Sequence, residues 1–270
     1  MMGGLTRWRP RRVVCTADAD HKEQPGCEYV VKYAQGQDGA AALISEIVSH
    51  GLLEAGGLPR LEAALVVVSD RLARSYQQTD IGYQVEAGIH FGTRRRTDVF
   101  PAPPESYGDL RDPTELVDIW VFDSWLMNID RATHGNLLMY HASSAAQWSL
   151  LAVDQSDCFG GAHEFRTGRY RKLCRERGAA GTFEQLRDRA VLEHGPQAVR
   201  QAMDKVANAI GQLNQVMARA PSGWWSAAKV DAQEVAQCLR DRAARLGEIV
   251  DIKHWEGLTD GINGGRLLNL

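Results

Sequence analysis

The chain has 270 residues, of which 44% are hydrophobic and 24% charged, so it holds enough apolar material for a core and is not a disordered, collagenous or coiled-coil sequence. Thirty-four acidic against 31 basic side chains give a net charge of −3, which argues against a protein whose main task is gripping a nucleic-acid backbone. Five cysteines (Cys15, Cys27, Cys158, Cys174 and Cys238) are scattered and form no Cys-x-x-Cys pair, so neither a disulfide framework nor a zinc knuckle is expected and a reducing cytoplasm fits best. The basic N-terminal stretch lacks the apolar core of a secretory signal, and no apolar run approaches the roughly 18 residues of a membrane span. The expectation is a soluble, cytoplasmic protein with no membrane or nucleic-acid partner.

In chain order, residues 13–17 and 27–33 are rich in strand formers and flank a segment of turn chemistry, Asp-Ala-Asp-His-Lys-Glu-Gln-Pro-Gly. The natural reading is a β-hairpin. From Ala40 to Ala55 apolar residues recur at helical steps (Leu43, Ile47, Val48, Leu52), and Gly56-Gly57 followed by Pro59 stops the helix. Leu65–Val68 reads as a short buried strand. Residues 76–108 lose periodicity and read as a connector with one short strand, in which the domain boundary falls. Residues 114–127 form a helix that is apolar on almost every face and is therefore expected to be buried all round. Two strands follow, Leu137–Tyr140 and Trp148–Val153. From Thr182 to Ile252 the pattern is helical, broken at Gly195-Pro196 and Pro221-Ser222-Gly223, and the glycine-rich tail reads as flexible.

The stretch from Asn128 to Asp154 carries the chemistry. If its two strands pair symmetrically about Ala145, Asn136 and Asp154 face each other with Cα atoms about 4.5–5.5 Å apart. Asp130 then lies in the loop that enters the hairpin. An amide and carboxylates at that separation suit Mg²⁺, which takes one or two carboxylates and fills its shell with phosphates and water. Lys32 ends an apolar strand and points to a cleft. Glu46 sits on an apolar stripe of the next helix, where a free carboxylate is costly, so pairing the two resolves both problems. Symmetric pairing of the first hairpin would also bring Lys32 beside Val13, just after the turn-like Gly4-Leu5-Thr6-Arg7, whose N–H groups could lie over phosphates.

Taken on their own, several of these residues have plainer readings. Asp123, inside the buried helix, is expected to hold neighbours through hydrogen bonds. His134 reads as structural or solvent-facing, Arg94-Arg95-Arg96 as a solvated face, and Trp224-Trp225 as helix-packing core.

The order Val31-Lys32, Glu46 with Gly57-Leu58-Pro59, Phe122-Asp123-x-Trp125-x-x-Asn128-x-Asp130-Arg131, Asn136-Leu137-Leu138 and Val153-Asp154 resembles the HipA-like kinases, bacterial relatives of the protein-kinase and phosphoinositide-kinase fold. The resemblance spans roughly residues 4–165 and is most specific between Asp123 and Asp154. It implies an α+β, two-lobed kinase-like fold. Residues 1–100 would form a small antiparallel-sheet N-lobe with one helix. Residues 101–258 would form a mainly helical C-lobe with a metal-binding hairpin, and 259–270 the tail. It implies ATP and Mg²⁺ as cofactors, Lys32 with Gly4 and Thr6 on nucleotide phosphates, Glu46 orienting Lys32, Asp130 catalytic, and Asn136 and Asp154 on the metal. The implied reaction moves the ATP γ-phosphoryl group to a hydroxyl of a protein substrate, Ser or Thr. An inactive nucleotide-binding module stays open, as does an enzyme acting on a small molecule or lipid or transferring AMP. Two departures bear on this choice: Asn136 follows Asp130 by six residues where many kinases have five, and Gln155-Ser156 stands where protein kinases carry Phe-Gly.

Overall fold

A computed structural model of the chain describes residues 11–15, 27–79, 85–131, 135–141, 147–176 and 184–254. Gly4, Thr6, His134, the turn at Ala145 and the 259–270 tail lie outside them. Strands β1 (Arg11–Cys15) and β2 (Cys27–Lys32) pair antiparallel, and β4 (Gly88–Arg94) inserts between β2 and β3 (Ala63–Val68). The resulting sheet has the order β1-β2-β4-β3. Helix α1 (Gly39–Ala55) lies against it, and every residue from Ala41 to Leu53 is buried, Glu46, Ser45, Ser49 and His50 included. The helix ends where expected, because Gly57 takes φ +73, and Leu58 N–H donates back to the Leu53 carbonyl at 2.9 Å.

The expected register of the first hairpin is corrected. Val13 sits opposite Tyr29, and the residue beside Lys32 is Phe91 of β4. The reason is parity. Pairing Val13 with Tyr29 and Arg11 with Val31 keeps Val13, Cys15, Tyr29 and Val31 on one face, where they pack with Val66 and Val68. The symmetric alignment is offset by an odd number of residues and would turn that face over.

Residues 76–108 are more ordered than a connector. They contain the end of α2 (Asp70–Thr79), the central strand β4, the short β5 (Val99–Pro101) and a 3₁₀ turn at Pro104–Asp109. The glycine of β4 that looked like a breaker permits close approach of strands: a Cβ on Gly92 would stand 2.9 Å from Val66 Cγ2. Past Arg94 the chain leaves the first sheet, and β5 joins a second one, β5-β6-β7, with β6 (Leu137–His141) and β7 (Trp148–Ala152).

Helix α3 (Thr114–Leu126) is buried from Leu116 to Leu126, as its all-round apolarity implied. Helix α6 (Glu184–Gly211) packs along it through Val199, Ala202, Val206 and Ala209, and bends at Gly195-Pro196. Short helices α4 (Ala162–Arg166), α5 (Tyr170–Leu173), α7 (Leu213–Met217) and α8 (Ser222–Ala228) complete the helical part with α9 (Ala232–Ala244) and α10 (Leu246–Ile249). Trp224 is in the core, and Trp225 is partly buried against it. Among the described residues no helix is long and apolar enough to cross a membrane.

The expectation of unpaired cysteines is also corrected. Cys174, just after α5, is disulfide-bonded to Cys238 of α9, with Cα atoms 5.8 Å apart. The partners are 64 residues apart, a closeness that only the packing of α9 creates. Beside this link Arg242, fully buried, donates to the carbonyls of Ser124 (2.6 Å), Trp125 (2.9 Å), Leu173 (2.9 Å) and Glu176 (3.1 Å). It thus ties α9 to the end of α3 and to the end of the segment after β7. Replacing Arg242 with Met orphans these carbonyls, each worth about 1–3 kcal/mol when buried without a partner. Arg242→Met is therefore expected to lower the urea midpoint by the equivalent of about 3 kcal/mol or more with little change in slope, measured by equilibrium unfolding.

Candidate active site

Lys32 closes β2, and its side chain is 14% exposed. Its ammonium is hydrogen-bonded to Glu46 of α1 and lies 2.5 Å from Asp154 Oδ1. Glu46 Oε1 also accepts the Gln155 backbone N–H at 3.0 Å. One buried amine therefore joins the first sheet, the helix behind it and the loop after β7. Asp154 reaches Lys32 because its backbone turns left-handed, φ +55, immediately after the strand. Such a conformation is uncommon away from glycine, least so for Asp and Asn, and it re-aims the carboxylate. Ser156 holds it there, donating from Oγ at 2.6 Å and from its N–H at 3.3 Å.

The second hairpin differs by one residue from the expected register. Leu137 faces Ala152, so Asn136 lies opposite Val153, whose N–H donates to the Asn136 carbonyl at 3.1 Å. This alignment puts the buried Leu137, Met139, Leu150 and Ala152 on one face, which the one-residue shift would undo. Asp154 is then the neighbour of the opposed residue, displaced by one position from Asn136. Asn136 in turn donates through Nδ2 to Asp130, at 2.8 Å to its carbonyl and 3.0 Å to Oδ2. Lys32, Glu46 and Asp154 thus form one cluster and Asp130 and Asn136 another, joined through the Asn136–Val153 backbone bond.

Arg131 is the residue that sequence reasoning passed over. Its guanidinium is completely buried and reaches five acceptors: Asp123 (2.8 and 3.0 Å), the carbonyls of Asn136 (2.7 Å) and Val153 (2.5 Å), and Gln155 Oε1 (2.7 Å). Asp123, buried in α3, also accepts from Asn128 Nδ2 at 2.9 Å, and Asn128 Oδ1 accepts the Asp130 N–H at 3.0 Å. The strands of the hairpin and the Asn128–Arg131 loop are therefore fixed to α3 by one cation. The signal was in the sequence: an acid inside an apolar helix needs a buried partner. Gln155, where protein kinases have Phe, is engaged on both sides of the site. The segment beyond it closes on the same loop through Asp157 O···H–N Ile129 (3.3 Å) and Met127 O···H–N Gly160 (3.0 Å). Arg166 of that segment pairs with Asp38 at the start of α1 at 2.6 Å. The Arg94-Arg95-Arg96 run is paired residue by residue, with Glu62, Glu28 and Asp98.

The electrostatics of the triad are asymmetric. Burial raises the Glu46 carboxyl to about 7 against the pull of Lys32. Asp154 is desolvated too, but Lys32 and Ser156 hold it well below the usual carboxylate range. Burial works against the Lys32 ammonium, and Glu46 and Asp154 overcome it, leaving its pKa raised. Glu46 therefore favours the folded state below its ordinary 4.5, and that contribution is lost as pH rises through about 7. The Asp154 contribution runs the other way and is lost only as pH falls below its ordinary 3.8. Among the described residues no three His, Cys, Asp or Glu side chains gather as a metal cage. The donors present, one carboxylate and one amide, fit an ion bound largely through phosphates and water, as Mg²⁺ is.

A lysine paired with a helix glutamate, beside an Asp and an Asn at the open end of a hairpin and an Asp in the preceding loop, matches the side-chain types that a kinase-type site uses. The family model described as HipA-like kinase matches residues 14–258, and the chain belongs to that family. The two antiparallel sheets with their many helices are accordingly a kinase-like α+β fold, and the function is of kinase type. Among the solved structures, the crystal structure of a Helicobacter pylori proinflammatory kinase, CtkA, is similar over 86% of this chain and 91% of that one, at 13% identity and a TM-score of 0.48. No curated protein matches.

Removing the Asp154 charge leaves Lys32 to Glu46 alone. In the Asp154→Asn variant the Glu46 carboxyl is expected to titrate below its wild-type midpoint near 7. Carboxyl-carbon NMR across pH 4–9 measures this, and an unchanged midpoint would show that the two acids do not share the amine.

Proposed function

We propose that this HipA-like kinase transfers the γ-phosphoryl group of ATP to a hydroxyl, that of a Ser or Thr in a protein substrate. In this reading the four-stranded sheet with α1 is the N-lobe, within residues 1–100. The part from 101 to 258, with the β6–β7 hairpin, is the C-lobe, and the chain acts in the cytoplasm. Lys32 binds nucleotide phosphate and Glu46 holds its ammonium in line. Asn136 and Asp154 hold Mg²⁺, which when bound neutralises charge developing on the phosphoryl oxygens. Asp130 accepts or aligns the acceptor hydroxyl proton, with its carboxylate fixed by Asn136 and its backbone by Asn128. Arg131 and Asp123 position this loop without touching substrate. The phosphate-binding turn assigned to Gly4 and Thr6 belongs to residues outside the description.

The observation that carries the reading is the Lys32 amine shared by Glu46 and Asp154, with Asp130 bonded to Asn136, which lies opposite Val153, the residue before Asp154. With labelled ATP, Mg²⁺ and a lysate or the chain itself as acceptor, wild type is expected to transfer label. Asp130→Asn is expected to lose about 10²–10⁴-fold of that rate while keeping its thermal shift with Mg²⁺·ATP. Asp154→Asn is expected to lose both. Transfer by Asp130→Asn at the wild-type rate would remove Asp130 from catalysis.

A second reading, nucleotide binding without turnover, draws on the engagement of Asp154 by Lys32 and Ser156. Calorimetry showing ATP binding while mass spectrometry finds no phosphate or AMP on any acceptor would select it.

A further inference from the structure

Five cysteines divide into one disulfide, Cys174–Cys238, and three free thiols, Cys15, Cys27 and Cys158. A chain that keeps most of its thiols free is not built as a disulfide scaffold, and in a reducing compartment, where this chain is proposed to act, a lone bridge is usually transient or redox-sensing. The bridge also sits at a mechanical position. The segment after β7 carries Asp154 and touches Met127, at the end of α3, and Ile129, in the loop that carries Asp130. It then folds back through Phe159, Gly160 and Gly161, all at positive φ. It reaches α9 at Cys174. It is held there by the disulfide, and also by the Arg242 bonds to the Leu173 and Glu176 carbonyls, the Arg171–Glu234 pair and the Arg245 Nη1 bond to the Arg175 carbonyl at 3.2 Å. The disulfide is covalent; the others open and close thermally.

Cys174 and Cys238 both line a surface cavity of about 560 Å³. Arg171, Arg175 and Arg245 stand around it against two carboxylates, Glu234 and Asp241. Glu234 is paired with Arg171, Arg245 lies 3.5 Å from Glu248 outside the cavity, and Asp241 accepts from Gln237 at 2.7 Å. With three guanidinium groups against two carboxylates in its lining, the cavity favours an anion, and its volume admits a small organic molecule.

We propose that Cys174–Cys238 is a reversible redox latch on the 158–176 segment, exchanged by an anionic low-molecular-weight thiol that enters the arginine-flanked cavity. A thiolate attacks one sulfur, the S–S bond breaks, and the other cysteine leaves as a thiolate. A second thiol attacks the resulting mixed disulfide and frees the first cysteine. Two thiols are oxidised to a low-molecular-weight disulfide, two electrons reduce the protein bridge to two thiols, and the reverse exchange with that disulfide restores it. In the reduced state only non-covalent bonds, those of Arg242, Arg171 and Arg245, hold the end of the segment, so its amides exchange faster. Where the segment serves a kinase, as proposed above, opening changes access of the acceptor and leaves nucleotide binding intact.

The test uses the full chain in glutathione buffers, with cysteamine as a cationic thiol. Reduction is expected to add 2 Da and expose two further thiols, and to raise amide exchange across 158–176 at least tenfold by mass spectrometry. The Cys174→Ser/Cys238→Ser variant is expected to show the fast exchange in every buffer. Glutathione, corrected for its thiolate fraction, is expected to act about tenfold faster than cysteamine, and Arg175→Glu with Arg245→Glu to reverse that preference. Unchanged amide exchange on reduction, or equal rates with the two thiols, overturns the proposal. These readouts need no phosphotransfer. An exchange response without any transfer would keep the latch and defeat only the kinase reading, which the Asp130→Asn comparison tests separately.

Discussion

Everything at the centre of this molecule depends on one ammonium group that has been taken out of water. Lys32 is largely withdrawn from solvent and faces two carboxylates, of which the buried Glu46 would not be tolerated in its place without it. Glu46 sits on a helix whose neighbours are apolar, and Asp154 occupies a left-handed backbone position beyond a buried strand. Breaking such a buried set by removing one member typically costs about 3–5 kcal/mol, because an uncompensated charge remains. The triad is therefore a constraint as much as a site: it requires β2, α1 and the loop after β7 to meet at one point.

A second buried cation does for the backbone what Lys32 does for the carboxylates. The loop from Asn128 to Arg131 and the open end of the β6–β7 hairpin are irregular, and irregular backbone inside a core must find hydrogen-bond partners. Arg131 supplies them, with its five donors spread over Asp123, two carbonyls and Gln155. Arg242 repeats the device further out, at the end of α3 and the segment that leads from Asp154. A planar fork with several donors suits this task where a lysine would satisfy fewer acceptors. Asp130 is held in the same way, through Asn128 below and Asn136 beside it, so its carboxylate is placed by hydrogen bonds and not by packing.

Both register corrections have one cause. Pairing strands symmetrically about a turn assumes that the turn decides the alignment, whereas in each hairpin the buried face decides it. Val13 takes Tyr29 as its partner, and Leu137 takes Ala152, because an odd offset would send their apolar neighbours to the wrong side. The misread 76–108 stretch has a related origin. Gly88 and Gly92 read as breaks along the chain, yet Gly92 is the residue that lets Val66 and Val31 close over β4 from the flanking strands. The Cys174–Cys238 bridge was hidden for a similar reason, since it joins two segments that meet only once α9 has docked.

By itself the amino-acid sequence determined the helices, read at 40–55 and 114–127 and observed within one residue of those bounds, the strands that bracket the site, and the order of Lys32, Glu46, Asp130, Asn136 and Asp154 along the chain. These are local quantities: periodicity, capping glycines, and residue types at fixed spacing. Tertiary structure alone decided that β4 lies between β2 and β3, that Asn136 faces Val153, that Arg131 and Arg242 are the buried staples, and that Cys174 finds Cys238. Each of those depends on which faces must be kept from water and which buried polar groups must be satisfied. Distant segments settle those two conditions jointly, so no single stretch of sequence contains them.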